Sequence, residues 1–353
     1  MAMQQKVSRR RVLASAAAGA MALGLATRPL RAQGKVIVRI GSVFRIGSIV
    51  PDAQTEFQRF LREYSKGEFD VKFYPSESLG DATARNAMLQ AGTLEISNTS
   101  AENIAPYVPF FNALLFPYVT GGQNGDPKQC VLNGIKISEK KEFAEAVTKA
   151  SNDKGLVFGF WTPLGMREYC TTPRVNRVTR SPDDFKGVKV RVAGSRVESR
   201  LFQMMGANPV PIPGPEIITS LESGVADAAH LDAVSIDTQG FYKPMNRITR
   251  TLFYPVLNLY VASKLWYDRL PPHLQKAFTQ ACHDASEVQR TQFIKADQEA
   301  FEFIKKQNID VYVPTAAEFA KLYDAVNYKK KEWEPVIKQL VGDVETFNRL
   351  VAM

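Results

Sequence analysis

Two arginines are the residues best suited, by type and spacing, to do chemistry. Arg191 lies in the stretch Lys189-Val-Arg191-Val192. Its alternation predicts a strand on which Arg191 shares a face with Lys189 and Ala193, opposite the valines. A guanidinium flanked by core residues is costly to bury without an anion. It is also the side chain best shaped to hold a planar carboxylate through two parallel hydrogen bonds. The second, Arg167, follows Trp161-Thr-Pro-Leu-Gly-Met. The competing reading for each is a salt bridge to an internal Asp or Glu, and spacing alone does not choose between the two.

Other chemistry lacks candidates. The 353 residues hold only three His and three Cys, never at metal-ligand spacing, so no metal site is expected. No two glycines stand at i, i+2, which removes the dinucleotide fingerprint, and there is no G-x-S-x-G elbow. The run Gly121-Gly122-Gln-Asn-Gly125-Asp-Pro-Lys128 lacks the ending that cradles phosphate. No catalytic residue and no cofactor is therefore assigned. Cys130, Cys170 and Cys282 read as isolated buried thiols, with a Cys130–Cys170 bridge as the alternative.

The formal charge is +9, but six of the 45 basic residues fall within residues 1–32, which contain no acid. The remainder carries only +3, too little for a nucleic-acid or membrane-surface protein. Residues 1–32 read as a secretory signal: basic residues, an apolar run from Val12 to Thr27, then small residues. Ser8-Arg9-Arg10-Arg11-Val12-Leu13 resembles a twin-arginine export signal. Export places the mature chain in the periplasm.

The elements that must position the arginines follow from periodicity. Strands are predicted at Lys35–Ile40 and Phe69–Phe73, helices at Asp52–Tyr64 and Asp81–Ala91, and a third strand at Thr93–Ser97. This β-α-β-α-β order indicates an α/β sheet, whose ligands bind where strands give way to loops. Those loops are Ser42–Ser48 and Asn98–Glu102. Phe116–Asn133 reads as a loop, Glu139–Asn152 as a helix and Leu156–Trp161 as a strand. Capping boxes are expected at Ser195–Glu198 and Thr315–Glu318. Val225–Ala229 and Tyr254–Ala262 read as strands, and a long helix runs from about Pro272 to Gln307, with Leu274, Ala277, Phe278, Ala281 and Cys282 on its buried stripe.

Several segments together resemble the solute-binding proteins of tripartite ATP-independent periplasmic (TRAP) transporters. They are Tyr74-Pro-Ser-Glu-Ser-Leu-Gly80, Asp184-Phe-Lys-Gly-Val-Lys-Val-Arg191, Met205-Gly-Ala-Asn-Pro-Val-Pro211, Leu221-Glu-Ser-Gly-Val-Ala-Asp227 and Lys264-Leu-Trp266. The similarity covers nearly all of residues 35–340. The resemblance implies a type II periplasmic-binding-protein-like α/β fold, with two lobes, a long helix across both and a cleft that shuts on an organic acid. It implies that Arg191 pairs with the ligand carboxylate and that Arg167 makes a second contact. By the same argument His230, Leu231, Gly214 and Trp161 line the pocket from one lobe, and Phe44, Arg45, Asn98 and Ser100 from the other. The implied partner is an integral-membrane permease driven by an ion gradient.

Two departures matter. Gly214 stands where many relatives have Phe, which predicts a roomier pocket and a ligand larger than a three-carbon acid. Ala228-Ala-His230-Leu231 replaces the segment that helps hold a metal ion in keto-acid binders. The expected division is residues 1–32 as signal, 33–160 with about 247–282 as lobe I, and 161–246 with about 283–353 as lobe II and C-terminal helices. The protein is a monomer or a homodimer on this reading. The alternatives are a binding protein of an ATP-driven importer, or an exported enzyme or sensor acting on organic acids.

Overall fold

A computed structural model describes residues 34–44 and 51–353. The proposed export signal and Arg45 lie outside the described residues. Ten strands form one sheet: β1 (Val36–Gly41), β2 (Phe69–Tyr74), β3 (Ile96–Ser100), β4 (Leu156–Thr171), β5 (Lys189–Val192), β6 (Asn208–Pro211), β7 (Ala228–Asp232), β8 (Arg247–Thr249), β9 (Pro255–Ser263) and β10 (Asp310–Tyr312). The main order is β2-β1-β3-β9-β4-β7-β5-β6, with β8 beside β4 and β10 beside β8.

The sheet has two halves because β4 changes partners. From Leu156 to Met166 it runs antiparallel to β9; from Arg167 to Thr171 it pairs with β7, and β8 takes the edge that β9 has left. Parallel β1, β2 and β3 complete one half, and parallel β5, β6 and β7 build the other. The sequence suggests a strand stopping at Trp161, because Gly159, Pro163 and Gly165 interrupt the pattern there. The structure carries the strand on for ten more residues by absorbing them at register shifts, between Phe158 and Phe160 and between Pro163 and Gly165. Arg167 therefore sits on a strand rather than after a turn.

The helix Pro272–Lys305 ties the halves together. Its first part buries Leu274, Phe278 and Ala281 with Phe57, Phe160 and Tyr260. Its last part buries Ala296, Ala300 and Ile304 with Leu231, Ile236 and Ile248. One apolar stripe thus serves two cores.

Three local expectations change. The segment read as a loop contains the start of the helix Pro127–Ser138, which Asp126 caps by accepting from the Gln129 amide, with Pro127 at the first helical position. The strand expected at Val225–Ala229 is displaced to β7. Ser195 caps the helix Arg196–Met204, but Glu198 does not return the contact; its carboxylate accepts from the Ala193 amide instead. The box at Thr315–Glu318 forms in both directions. Cys130, Cys170 and Cys282 are buried free thiols.

The first core centres on Phe57, whose ring lies 5.0 Å from the rings of Phe160 and Tyr260 and 6.5 Å from that of Phe278. Phe57→Ala is expected to cost about 3–5 kcal/mol of stability, the range for a buried aromatic removed from a close-packed core. Urea denaturation of the two proteins checks this.

Candidate functional site

The carboxyl ends of several strands converge on one polar cavity. Ser100 comes from the end of β3, Arg191 from β5, Leu231 and Asp232 from the end of β7, Arg167 and Asn258 from β4 and β9. Val43, just past β1, and Gly214, past β6, close its sides. The cavity has about 60 Å³ of free space and shares the lining residues Glu77 and Gly214 with two others of about 160 and 220 Å³. Strand ends are where an α/β sheet leaves a crevice, which explains the location.

The two arginines have different partners. Arg167 is buried; its Nε donates to Glu102 Oε1 at 2.9 Å and its Nη1 to the His230 carbonyl at 3.0 Å. Glu102 is fully buried, on the short helix Ala101–Ile104 after β3. Burial by itself would lower the Arg167 pKa, but Glu102 and Glu198 outweigh it and hold the guanidinium charged. The salt-bridge reading therefore describes Arg167, although the residue still borders the cavity.

Arg191 has no such acid. Its Nε and Nη2 donate to one backbone oxygen, that of Ile212, at 2.9 and 2.8 Å. Among the described residues no carboxylate pairs with it. Only 3% of the residue is exposed. Its pKa falls to about 10, first through desolvation, with Arg167 adding to the fall and Glu198 opposing it. The guanidinium stays charged at neutral pH, and an anion entering the cavity would push that value back up. The nearby Glu198 is already committed: it accepts from Ala193 N at 2.7 Å and bonds His230 Nδ1 at 2.9 Å. Strand alternation explains why Arg191 points inwards while Val190 and Val192 fill the core.

The structure brings together Arg167, Arg191, Ser100, Gly214 and Leu231. It keeps other expected residues elsewhere. His230 lies on the face of β7 opposite Leu231, packed edge-on against Phe202, Phe253 and Tyr254, and its partner is Glu198. Asn98 is buried with its amide directed at the Leu259 carbonyl, 3.4 Å away. Phe44 is buried in the second core, and its neighbour Val43 reaches the cavity instead. Trp161 lines a separate apolar cavity of about 430 Å³ beside the long helix. That larger cavity holds one guanidinium, Arg290, which is paired with Glu139 and Glu287. The space freed at Gly214 is not apolar: a Cβ there would meet Glu77 Oε2 at 3.1 Å. Sequence reasoning missed Glu77, Asn103 and Asn258. Glu77 was legible as an acid in a loop leaving a parallel strand; Asn258, inside an apolar run, gave only its own polarity as a signal.

A charge imbalance of this kind separates the two arginines energetically. Removing one member of a buried ion pair strands the other, at about 3–5 kcal/mol. Arg167→Ala should incur that cost through Glu102. Arg191→Ala should cost less than half as much, because it removes a desolvated cation that no acid compensates. Urea denaturation of the ligand-free proteins checks this, and equal losses would make Arg191 a structural residue.

Comparison with known proteins adds family information to this geometry. Residues 41–335 match the model of the family described as bacterial extracellular solute-binding protein, family 7. The 2,3-diketo-L-gulonate-binding periplasmic protein of Escherichia coli K12 is 27% identical over 262 residues, covering 73% of this chain and 75% of that protein. A sugar acid binding protein from Advenella mimigardefordensis, solved with galactonate, superposes with a TM-score of 0.78 at 23% identity, covering 90% of this chain and 97% of that one. A TRAP periplasmic solute-binding protein from Polaromonas sp. JS666, solved with D-erythronate, gives 0.80 at 20% identity, covering 90% and 99%.

Proposed function

This chain belongs to family 7 of the bacterial extracellular solute-binding proteins, and from that membership we propose that it captures an organic acid by its carboxylate and hands it to a TRAP-type membrane permease. It is a periplasmic protein with the two-lobed fold of that family. The observation that carries the carboxylate reading is Arg191: a buried guanidinium at a cavity wall whose two protein contacts go to a single carbonyl. A relative named for binding 2,3-diketo-L-gulonate and structures solved with galactonate and D-erythronate are in keeping with it.

The proposed ligand-binding residues are Arg191, Arg167, Ser100, Gly214 and Leu231, joined by Asn103 and Asn258. The ligand carboxylate takes the donors of Arg191 that Ile212 leaves over, and Arg167 Nη2 offers a second contact beside the Glu102 pair. A carboxylate exchanging water for these groups gains through charge-assisted bonds that are stronger where water is excluded.

Capture couples to shape through closure of the two sides. Ser100 and Glu102 belong to the β3 side, Arg191 and Leu231 to the β5–β7 side, and β4 runs between. We take β4 and the long helix as the elements that bend. A ligand touching both sides binds the closed arrangement better and shifts the population towards it. The permease then reads the closed form, with uptake driven by an ion gradient. The protein works by binding alone, without a chemical step.

A thermal-shift screen over organic acids identifies the ligand by a rise in melting temperature. Arg191→Ala should weaken that ligand by roughly tenfold or more in a calorimetric titration, the scale of one lost charge-assisted contact. Unchanged affinity in the mutant would take Arg191 out of the site and with it the reading of carboxylate capture.

A further inference from the structure

The cavity wall carries an anionic group as well as its cationic ones. Glu77 lines the arginine cavity and both of its neighbours. Its side chain is only 13% exposed. One oxygen, Oε1, lies 3.4 Å from Arg85 Nη1, while Oε2 is directed at Gly214. Arg85 is itself fully buried and spends its other contacts on Ser97 Oγ, the Gly80 carbonyl and the Asn98 carbonyl.

The backbone is bent to present this group. Ser76 and Glu77 both adopt left-handed conformations, φ 54° and 55°, without being glycine. Such residues are uncommon and persist where neighbours fix them. Here the Ser76 amide donates to the Phe44 carbonyl at 2.8 Å and the Glu77 amide to the Ser42 carbonyl at 2.9 Å. A glycine at 214 leaves the carboxylate room to face the cleft. Desolvation raises the Glu77 pKa and Arg85 works against that rise.

From this juxtaposition we propose that Glu77 is a specificity-determining residue that selects monocarboxylates with a hydroxylated tail and rejects dicarboxylates. The proposal rests on the carboxylate reading above and names its substrate class. A ligand anchored at Arg191 directs its far end at Glu77. A second carboxylate there meets like charge across a short, poorly solvated gap, which costs affinity. A hydroxyl donates to the free Oε2. An ammonium tail is less suited, because it costs more to desolvate than a hydroxyl.

Matched pairs of acids differing only at the far carbon test this: D-erythronate against meso-tartrate, D-xylonate against xylarate, and D-gluconate against D-glucarate, with 4-aminobutyrate as the ammonium probe. Calorimetry on the wild-type protein should find the monoacid at least about tenfold tighter than the diacid in whichever pair binds. In Glu77→Gln, which keeps the shape and removes the charge, the two affinities should come within about threefold. Melting curves of that variant confirm that it is folded, and the wild-type ratio stands without it. A diacid bound as tightly as its monoacid, 4-aminobutyrate bound more tightly than any hydroxy acid, or an unmoved ratio in Glu77→Gln would each overturn the proposal and leave carboxylate capture standing. If none of the seven binds, the hydroxy-acid assignment fails, whereas loss of carboxylate capture itself is shown separately, by affinity unchanged in Arg191→Ala.

Discussion

A buried positive charge without a negative partner is the constraint on which the rest of the structure depends. Taking a guanidinium out of water costs several kcal/mol unless an anion compensates it, on the order found for buried ions generally. At Arg191 the protein supplies one carbonyl, that of Ile212, and stops there. The parallel strands β5, β6 and β7 hold the group in place, and the valines on either side fix which face it occupies. Its neighbour Glu198, which could have neutralised it, is turned to Ala193 and His230. The cost that the protein alone leaves unmet is what an incoming anion recovers.

Arg167 shows the contrasting solution. It stands where β4 passes from one half of the sheet to the other, and it is satisfied by Glu102 and the His230 carbonyl. It therefore fixes the cavity wall whether or not a ligand is present. One arginine is an internal strut that borders the cavity, and the other meets only a backbone carbonyl there, which is why we propose it as the ligand's anchor. Glu77 adds the opposite charge to the wall of the same cavity. A long helix shares its apolar stripe between two cores and so ties the halves together.

Much of this was legible in the sequence. The first two strands followed from β-branched content and alternation, the helices after them from Gly67 and Gly92, and the long helix from its stripe of Leu274, Phe278 and Ala281, while the third strand begins three residues later than expected, at Ile96. Arg191 was placed on the right face by the period of two. Four things were hidden, each for a physical reason. The helix at 127–138 begins inside a Gly- and Pro-rich run, where Pro127 is an N-terminal signal rather than a breaker. The length of β4 was masked by Gly159 and Pro163, which the strand tolerates at its irregularities. The resemblance assigned both His230 and Leu231 to the pocket, although adjacent residues on a strand face opposite ways. Glu77 belonged to a motif already quoted, but its orientation depends on two left-handed residues that no hydropathy pattern reveals.

The most direct measurement is a crystal structure of the protein with the acid found by screening. The ligand carboxylate is expected within about 2.7–2.9 Å of Arg191 nitrogens, as charge-assisted bonds require, with Arg167 still holding Glu102. A ligand seated elsewhere, with Arg191 engaged only by the Ile212 carbonyl or swung onto one of the protein's own acids, would contradict the account.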